Sequence, residues 1–441
     1  MTQELDKWDK VRRQFDALPY PNVPLDQKPG NHPAYLAEHS CVIPYYLRDR
    51  RVISPSDKRI LDAGCGSGFK AMALAAANPG AHIVGVDISS ASVELARQRV
   101  EYHAVPNPIE FHHLSLEALP TLGQTFDYIN CDETLYLLPD PLAGLKAMTA
   151  ALKPDGIIRV NLHSRLQREN TYRMQALFKE LGCLQDTPID EEIDLVRQTM
   201  ESLQDWVFSK QQIWNQHPDL KTDPEKLTAN FLLRGDKGFT MEDFSSLLHQ
   251  ADLELVNMVN WWEWDLQKLF KSVEDLPIAI ALGLADMSFA EQLHMFELLH
   301  PTHRLLDLYC GHPGMGSNRP PLEEWTIAQW QRAKVYLHPQ LCTHQFADIL
   351  QTGTRRLGTI SLYEHFPIGN YRINLDNSLA GCLYPLIDSP LMMSELCDRW
   401  QQIHPVDPIT LEPIDSAQVF QTLQDTLLEL ETAGYALIEL V

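Results

Sequence analysis

From Ser56 onward, short apolar runs alternate with longer amphipathic stretches. RILDAGC, from Arg59 to Cys65, reads as a buried strand, and FKAMALAAANPG, from Phe69, as an Ala-rich helix stopped by Pro-Gly. AHIVGVDIS is again a strand, followed by SASVELARQRVEYHA, an amphipathic helix with a serine start. PIEFHHLSL, FDYINCDE and DGIIRVNLHS continue the strands, and the helix PLAGLKAMTAALK separates the last two. Strands alternating with helices of this length build βαβ units, so residues 58–165 are expected to form an α/β core with a parallel sheet covered on both faces.

The flanks follow other patterns. Residues 1–57 look irregular, and the proline-rich stretch from Pro19 to Pro33 should be stiff and extended, because each proline fixes φ and removes a donor. This is an arm lying on a surface. Residues 166–237 turn polar and helical with little β-branched content, as a helical insertion does. Within 238–272, FTMEDFSSLLHQA is a helix with a threonine start, and LELVNMVNWWEW a strand returning to the core sheet. Residues 273–370 read as a mixed α/β extension. The last stretch, 371–441, runs strand (YRINL), helix (MMSELCDRWQQ), long helix (SAQVFQTLQDTLLELETA), Gly434 and strand (YALIEL), the order of a winged-helix-like module in a C-terminal α+β region.

Length and composition fit this picture. A chain of 441 residues needs more than one core, and 44% hydrophobic content supplies it. No window offers about 18 uninterrupted apolar residues, so a membrane span is not expected. The polar N-terminus and eight cysteines scattered without a CxxC pair point to the cytoplasm. A net charge of −23 disfavours nucleic acid as a partner, since the basic clusters Arg48 to Arg51 and Arg355-Arg356 are short. Oligomeric state is not legible in the sequence.

The chemistry concentrates in ILDAGCGSGFKAMALA. Gly64, Gly66 and Gly68 permit a tight turn and close backbone approach between strand and helix, and the helix N-terminus then offers free N–H groups to a ligand. Dinucleotide binding asks for GxGxxG, but the third glycine would fall on Phe69, and no GK[ST] follows for a phosphate loop. Asp87, ending the next strand, suits a ribose diol. Asp62, just ahead of the glycines, suits an amino group.

DAGCGSG, VGVDIS, FDYINCDETLYLLPDP and ALKPDGIIRV resemble, in order and spacing, the successive motifs of class I S-adenosylmethionine-dependent methyltransferases. The resemblance implies a Rossmann-like methyltransferase sheet with S-adenosylmethionine as cofactor. It assigns Asp62, Gly64 and Gly66 to the methionine end, with Cys65 and Gly68 in the same loop. Asp87 and Ile88 fall at the ribose, Glu117 near the adenine, and Asn130, Cys131 and Asp132 beside the methionine moiety. VRRQFDALPYPNVP and DKGFT are similar to elements of one bacterial subgroup, whose GVLHHLPDP segment is ETLYLLPDP here, with Tyr136 and Leu137 in place of two histidines.

Methyl transfer needs mainly alignment and exclusion of water, plus a base when the acceptor is protonated. Glu133 and Tyr136 are the catalytic candidates, and Tyr20, Tyr35, His39 and His163 the substrate candidates, with the arm as a lid. His300, His303, Cys310 and His312 have metal-ligand chemistry but match no familiar zinc spacing, so no metal is expected. Trp261 to Asp265, WWEWD, suggests an aromatic cage less than a packed strand end. The favoured function is methylation of an N or O nucleophile on a small-molecule or natural-product acceptor. A protein or peptide methyltransferase and a non-catalytic cofactor-binding regulator are the alternatives.

Overall fold

A computed structural model describes residues 11–17, 19–30, 32–184, 189–272, 276–316, 320–356, 358–368, 372–406 and 410–441. Its centre is an eight-stranded sheet. Strands β1 (Arg59–Ala63), β2 (His82–Asp87), β3 (Ile109–His113), β4 (Phe126–Cys131) and β5 (Leu152–Ser164) are parallel. β6 (Gly238–Phe239) pairs with the end of β5, while β7 (Glu254–Met258) and β8 (Leu305–Gly311) complete the order β3-β2-β1-β4-β5-β8-β7. Among the described strands of this sheet, β8 runs opposite to the rest.

The strands form where the sequence is apolar without interruption: β4 is buried at every position and β5 over its last nine. Helices on both faces start at legible signals. Ser89 caps the helix Ser90–His103, Asp140 caps Pro141–Ala151 with proline in the first turn, and Thr240 forms a capping box with Asp243 at Met241–Gln250. Most of the described residues within 166–237 fall in helices, with their own small core around Phe178, Val196, Trp214 and Phe231.

Three expectations need correction. The arm is not irregular throughout, because Pro33–Glu38 and Val42–Asp49 are helices, the first packed on the helix Phe69–Ala77 and the second on the sheet. The core does not end at residue 272: β8, from the supposed extension, lies between β5 and β7, so the returning strand β7 meets the sheet only through β8. The winged-helix-like boundary at 371 also fails. The closing strand β13 (Ala436–Leu440) pairs with β9 (Ala333–Leu337), which also holds β12 (Leu391–Met392), and one apolar cluster unites residues from Leu322 to Ile438. Of YRINL, Tyr371 lies outside the described residues, and β11 covers Asn374–Leu375. Among the described residues no helix is long and apolar enough to cross a membrane.

Candidate functional site

The loop after β1 is held from three sides. Gly64 has φ +87°, and a Cβ there would run into Thr134; a Cβ on Gly66 would run into the Tyr20 carbonyl. The Asp87 carboxylate accepts the Gly66 N–H at 2.9 Å and the Ser89 N–H at 2.8 Å, tying the ends of β1 and β2 together. Burial pushes the Asp87 carboxyl up in spite of these donors. From above, the Tyr20 carbonyl accepts the Ser67 N–H at 2.9 Å and the Pro21 carbonyl the Ser67 hydroxyl at 2.8 Å. Arg99, fully buried, donates to Ser67, Val23 and Pro24 carbonyls and so fastens the extended part of the arm over the loop.

Beneath the arm is a cavity of about 750 Å3. Gly64, Cys65, Gly66, Asp87, Ile88 and Asp132 line it, as does Glu133. Asp62, Gly68, Asn130 and Cys131 stand behind that wall, and at the far end Leu114 and Leu116 face the cavity rather than Glu117. Asp62 Oδ1 accepts from the Asn130 amide at 3.1 Å while its buried Oδ2 has no partner. Burial pushes this carboxyl up to about 7. Lys70, unremarked in the sequence although it follows the glycine loop directly, lines the closed end and pairs with Asp132 at 2.7 Å. Burial opposes its charge, but Asp132 and Glu133 beside it outweigh that and raise its pKa. An orphaned carboxylate oxygen, a cation, backbone amides and an apolar far end fit a zwitterionic amino acid joined to a nucleoside.

A second cavity, of about 1780 Å3, adjoins the first: Phe15, Tyr20, Glu133 and Leu137 line both. The helices of the insertion supply much of its wall, and Arg304, just ahead of β8, part of the rest. Arg304 is ion-paired with Glu133 and donates to His163 Nε2 at 2.9 Å. His163 Nδ1 in turn lies 2.7 Å from Asp236 Oδ1, and the Tyr136 ring stacks on the imidazole at 3.8 Å. With Nε2 accepting from a guanidinium, the proton sits on Nδ1 and the ring is neutral. Burial, partly offset by Asp236, lowers its pKa. Lys70 and Arg304 overcome the effect of burial on Glu133 and keep it ionised, whereas burial holds Tyr136 protonated.

Two substrate candidates lie elsewhere. Tyr35 and His39 line neither cavity, because the helix Pro33–Glu38 packs on Phe69–Ala77 as a fixed layer. His39 donates from Nδ1 to the Tyr35 carbonyl at 2.7 Å, and burial lowers its pKa to about 3. Cys310 is buried inside β8 and His303 faces Glu263 at 3.6 Å. Among the described residues no group of three His, Cys, Asp or Glu is placed to hold a metal. Arg304 carries no signal in the sequence, and Asp236, which opens the DKGFT segment, has nothing in its spacing that points to His163.

Residues 54–222 match the model of a methyltransferase domain. A protein of Synechococcus, syc1184_c, is 35% identical over 165 residues, which is 37% of this chain and 39% of that protein. The ubiquinone biosynthesis O-methyltransferase of Haemophilus ducreyi is 34% identical over 115 residues, 24% of this chain and 46% of the enzyme. The chain thus spans less than half the length of these relatives. Among solved structures, PKMT2 from Rickettsia typhi has a similar fold, with a TM-score of 0.59 at 16% identity over 93% of this chain and 75% of that one; it has also been solved with AdoHcy. Residues 54–222, which carry the five parallel strands β1–β5 and the glycine loop, are thus similar to a methyltransferase domain.

Proposed function

We propose that the chain is an S-adenosylmethionine-dependent methyltransferase acting on an N or O nucleophile of a small-molecule acceptor held in the larger cavity. The observation that carries this reading is the junction of the two cavities at Tyr20 and Glu133, with a neutral imidazole on the acceptor side. The bound cofactor supplies a methyl group already activated on a sulfonium. Asp87 is the acceptor for the ribose hydroxyls, and Asp62 and Asp132 take the amino-acid end together with Lys70. The arm and the insertion keep water from the acceptor.

His163 takes the acceptor's proton at Nε2 once Arg304 swings aside, and Asp236 holds the ring in the tautomer that leaves Nε2 free. Glu133 steadies Arg304 and accepts from the Tyr20 hydroxyl at 3.4 Å. This shifts the role of base from Glu133 and Tyr136 to His163, because an ion-paired carboxylate and a buried phenol are both poor proton acceptors.

A polypeptide acceptor is the second reading. It is favoured by the fold shared over 93% of the chain with PKMT2, a protein lysine methyltransferase. Incubating the chain with cofactor labelled on the methyl group and a cell extract, then separating acceptors by size, tests both. Label in small metabolites supports the first reading and label in polypeptides the second. Cofactor binding without any transfer would sink both and leave a regulator.

A further inference from the structure

A third cavity, of about 660 Å3, lies where the arm helix Pro33–Glu38, the segment after the edge strand β7 and the C-terminal region meet. It shares no lining residue with the two cavities above. We propose that it binds a small organic cation of the ammonium type, held between the Glu38 carboxylate and the rings of Trp261, Trp262 and Tyr363.

The charge balance of the walls selects the sign of the ligand. Neither lysine nor arginine lines the cavity, whereas Glu38 and Glu263 do. Glu263 is engaged, with the Asn260 amide at 3.5 Å and His303 at 3.6 Å. The Glu38 carboxylate has no hydrogen bond or ion pair among the described residues. Arg159 reaches only the backbone carbonyl of Glu38, at 3.1 Å, and commits its guanidinium to Asp307 at 2.7 Å. His338, the one histidine lining the cavity among the described residues, is neutral: its Nδ1 accepts the Gln340 N–H at 3.1 Å, and burial lowers its pKa to about 3. Burial pushes the Glu38 carboxyl up to about 7, the state of an acid waiting for a counter-charge.

The aromatic walls select the kind of cation. Trp261 and Trp262 meet edge to face, 4.4 Å between centroids, beside Tyr309 and Tyr363. Ring faces attract a weakly hydrated alkylammonium more than a metal ion, which would demand several oxygen ligands that these walls lack. An anion would face two carboxylates. A neutral apolar ligand would leave Glu38 desolvated with nothing gained. The Trp262 Nε1 is buried without an acceptor, so a hydroxyl next to the cationic head is a further match. Choline carries both.

The test uses the full chain and choline as the probe, with heat of binding and quenching of tryptophan fluorescence as readouts. Saturable binding is expected, weakened about tenfold or more both for the neutral carbon isostere of choline and in Glu38→Gln. Trp261→Phe, which retains a ring, should weaken binding less than Trp261→Leu. S-adenosylmethionine affinity, measured on the same samples, should be unchanged in Glu38→Gln, which separates loss of this site from misfolding and from failure of the methyltransferase reading. No signal with choline, equal affinity for the isostere, or undiminished binding in a folded Glu38→Gln overturns the proposal.

Discussion

Lys70 lines the closed end of the cofactor cavity and Asp62 stands behind its wall, and only the lysine has a full partner. The empty Asp62 carboxyl titrates near 7, so a proton must leave before it can face the cofactor's ammonium. Affinity for S-adenosylmethionine should therefore rise between pH 6 and about 7.5, by at most about tenfold per unit, and decline as the ligand's own amino group deprotonates near ~8. Calorimetry in buffers of different ionisation heat should register proton release below pH 7, and Asp62→Asn should flatten the profile. A flat profile in the native chain counts against an ionised Asp62 in the complex. Across the junction, His163→Gln should lower kcat by about 10²–10⁴ while cofactor affinity holds. Glu133→Gln should lower turnover less, because it removes the carboxylate that would hold Arg304 when the guanidinium leaves Nε2. Turnover unchanged in His163→Gln removes the imidazole from the chemistry.

At the scale of elements, the extended part of the arm is fastened over the glycine loop largely through its backbone. Its carbonyls at Tyr20, Pro21, Val23 and Pro24 carry the contacts, and Arg99 alone bonds to two of them. Arg99→Leu strips those bonds at a cost on the order of 3 kcal/mol to the arm's hold. Limited proteolysis should then cut the arm faster, and cofactor should bind more weakly. Equal cutting rates would mean that Arg99 is not the clamp. The clamp was invisible in sequence, because an arginine on an amphipathic helix reads as solvated and its carbonyl partners have no residue signature. The core strands were legible for the opposite reason: unbroken apolar runs between capped helices encode themselves locally. β8 is an apolar run like the core strands, but its place was not legible, since a strand's partner at residues 157–163 is set by packing over long sequence distance. The same limit hid Arg304 and Asp236 from His163, while the glycine loop and Asp87, joined by hydrogen bonds between consecutive βα units, were found.

Across the whole molecule, one junction of the C-terminal region with the core is built around Tyr46. The Tyr46 hydroxyl donates to Glu431 at 2.9 Å and accepts the Ile438 N–H at 3.1 Å, with Arg50 paired to the same glutamate. Leu437 sits in the same apolar cluster as Tyr45 and Tyr309. Tyr46→Phe leaves the Ile438 N–H without its acceptor and should cost about 1–3 kcal/mol, read as a lower urea midpoint. A midpoint unmoved by the change would place the junction's strength in the apolar contacts alone. The position of β8 has a consequence for synthesis as well. The ribosome delivers the glycine turn, Asp87 and the first five strands long before the chain reaches residue 305. A nascent polypeptide can thus shape a receptacle for the methyl donor while its central layer still has an open flank, and the guanidinium that guards the imidazole arrives only with the strand that closes it.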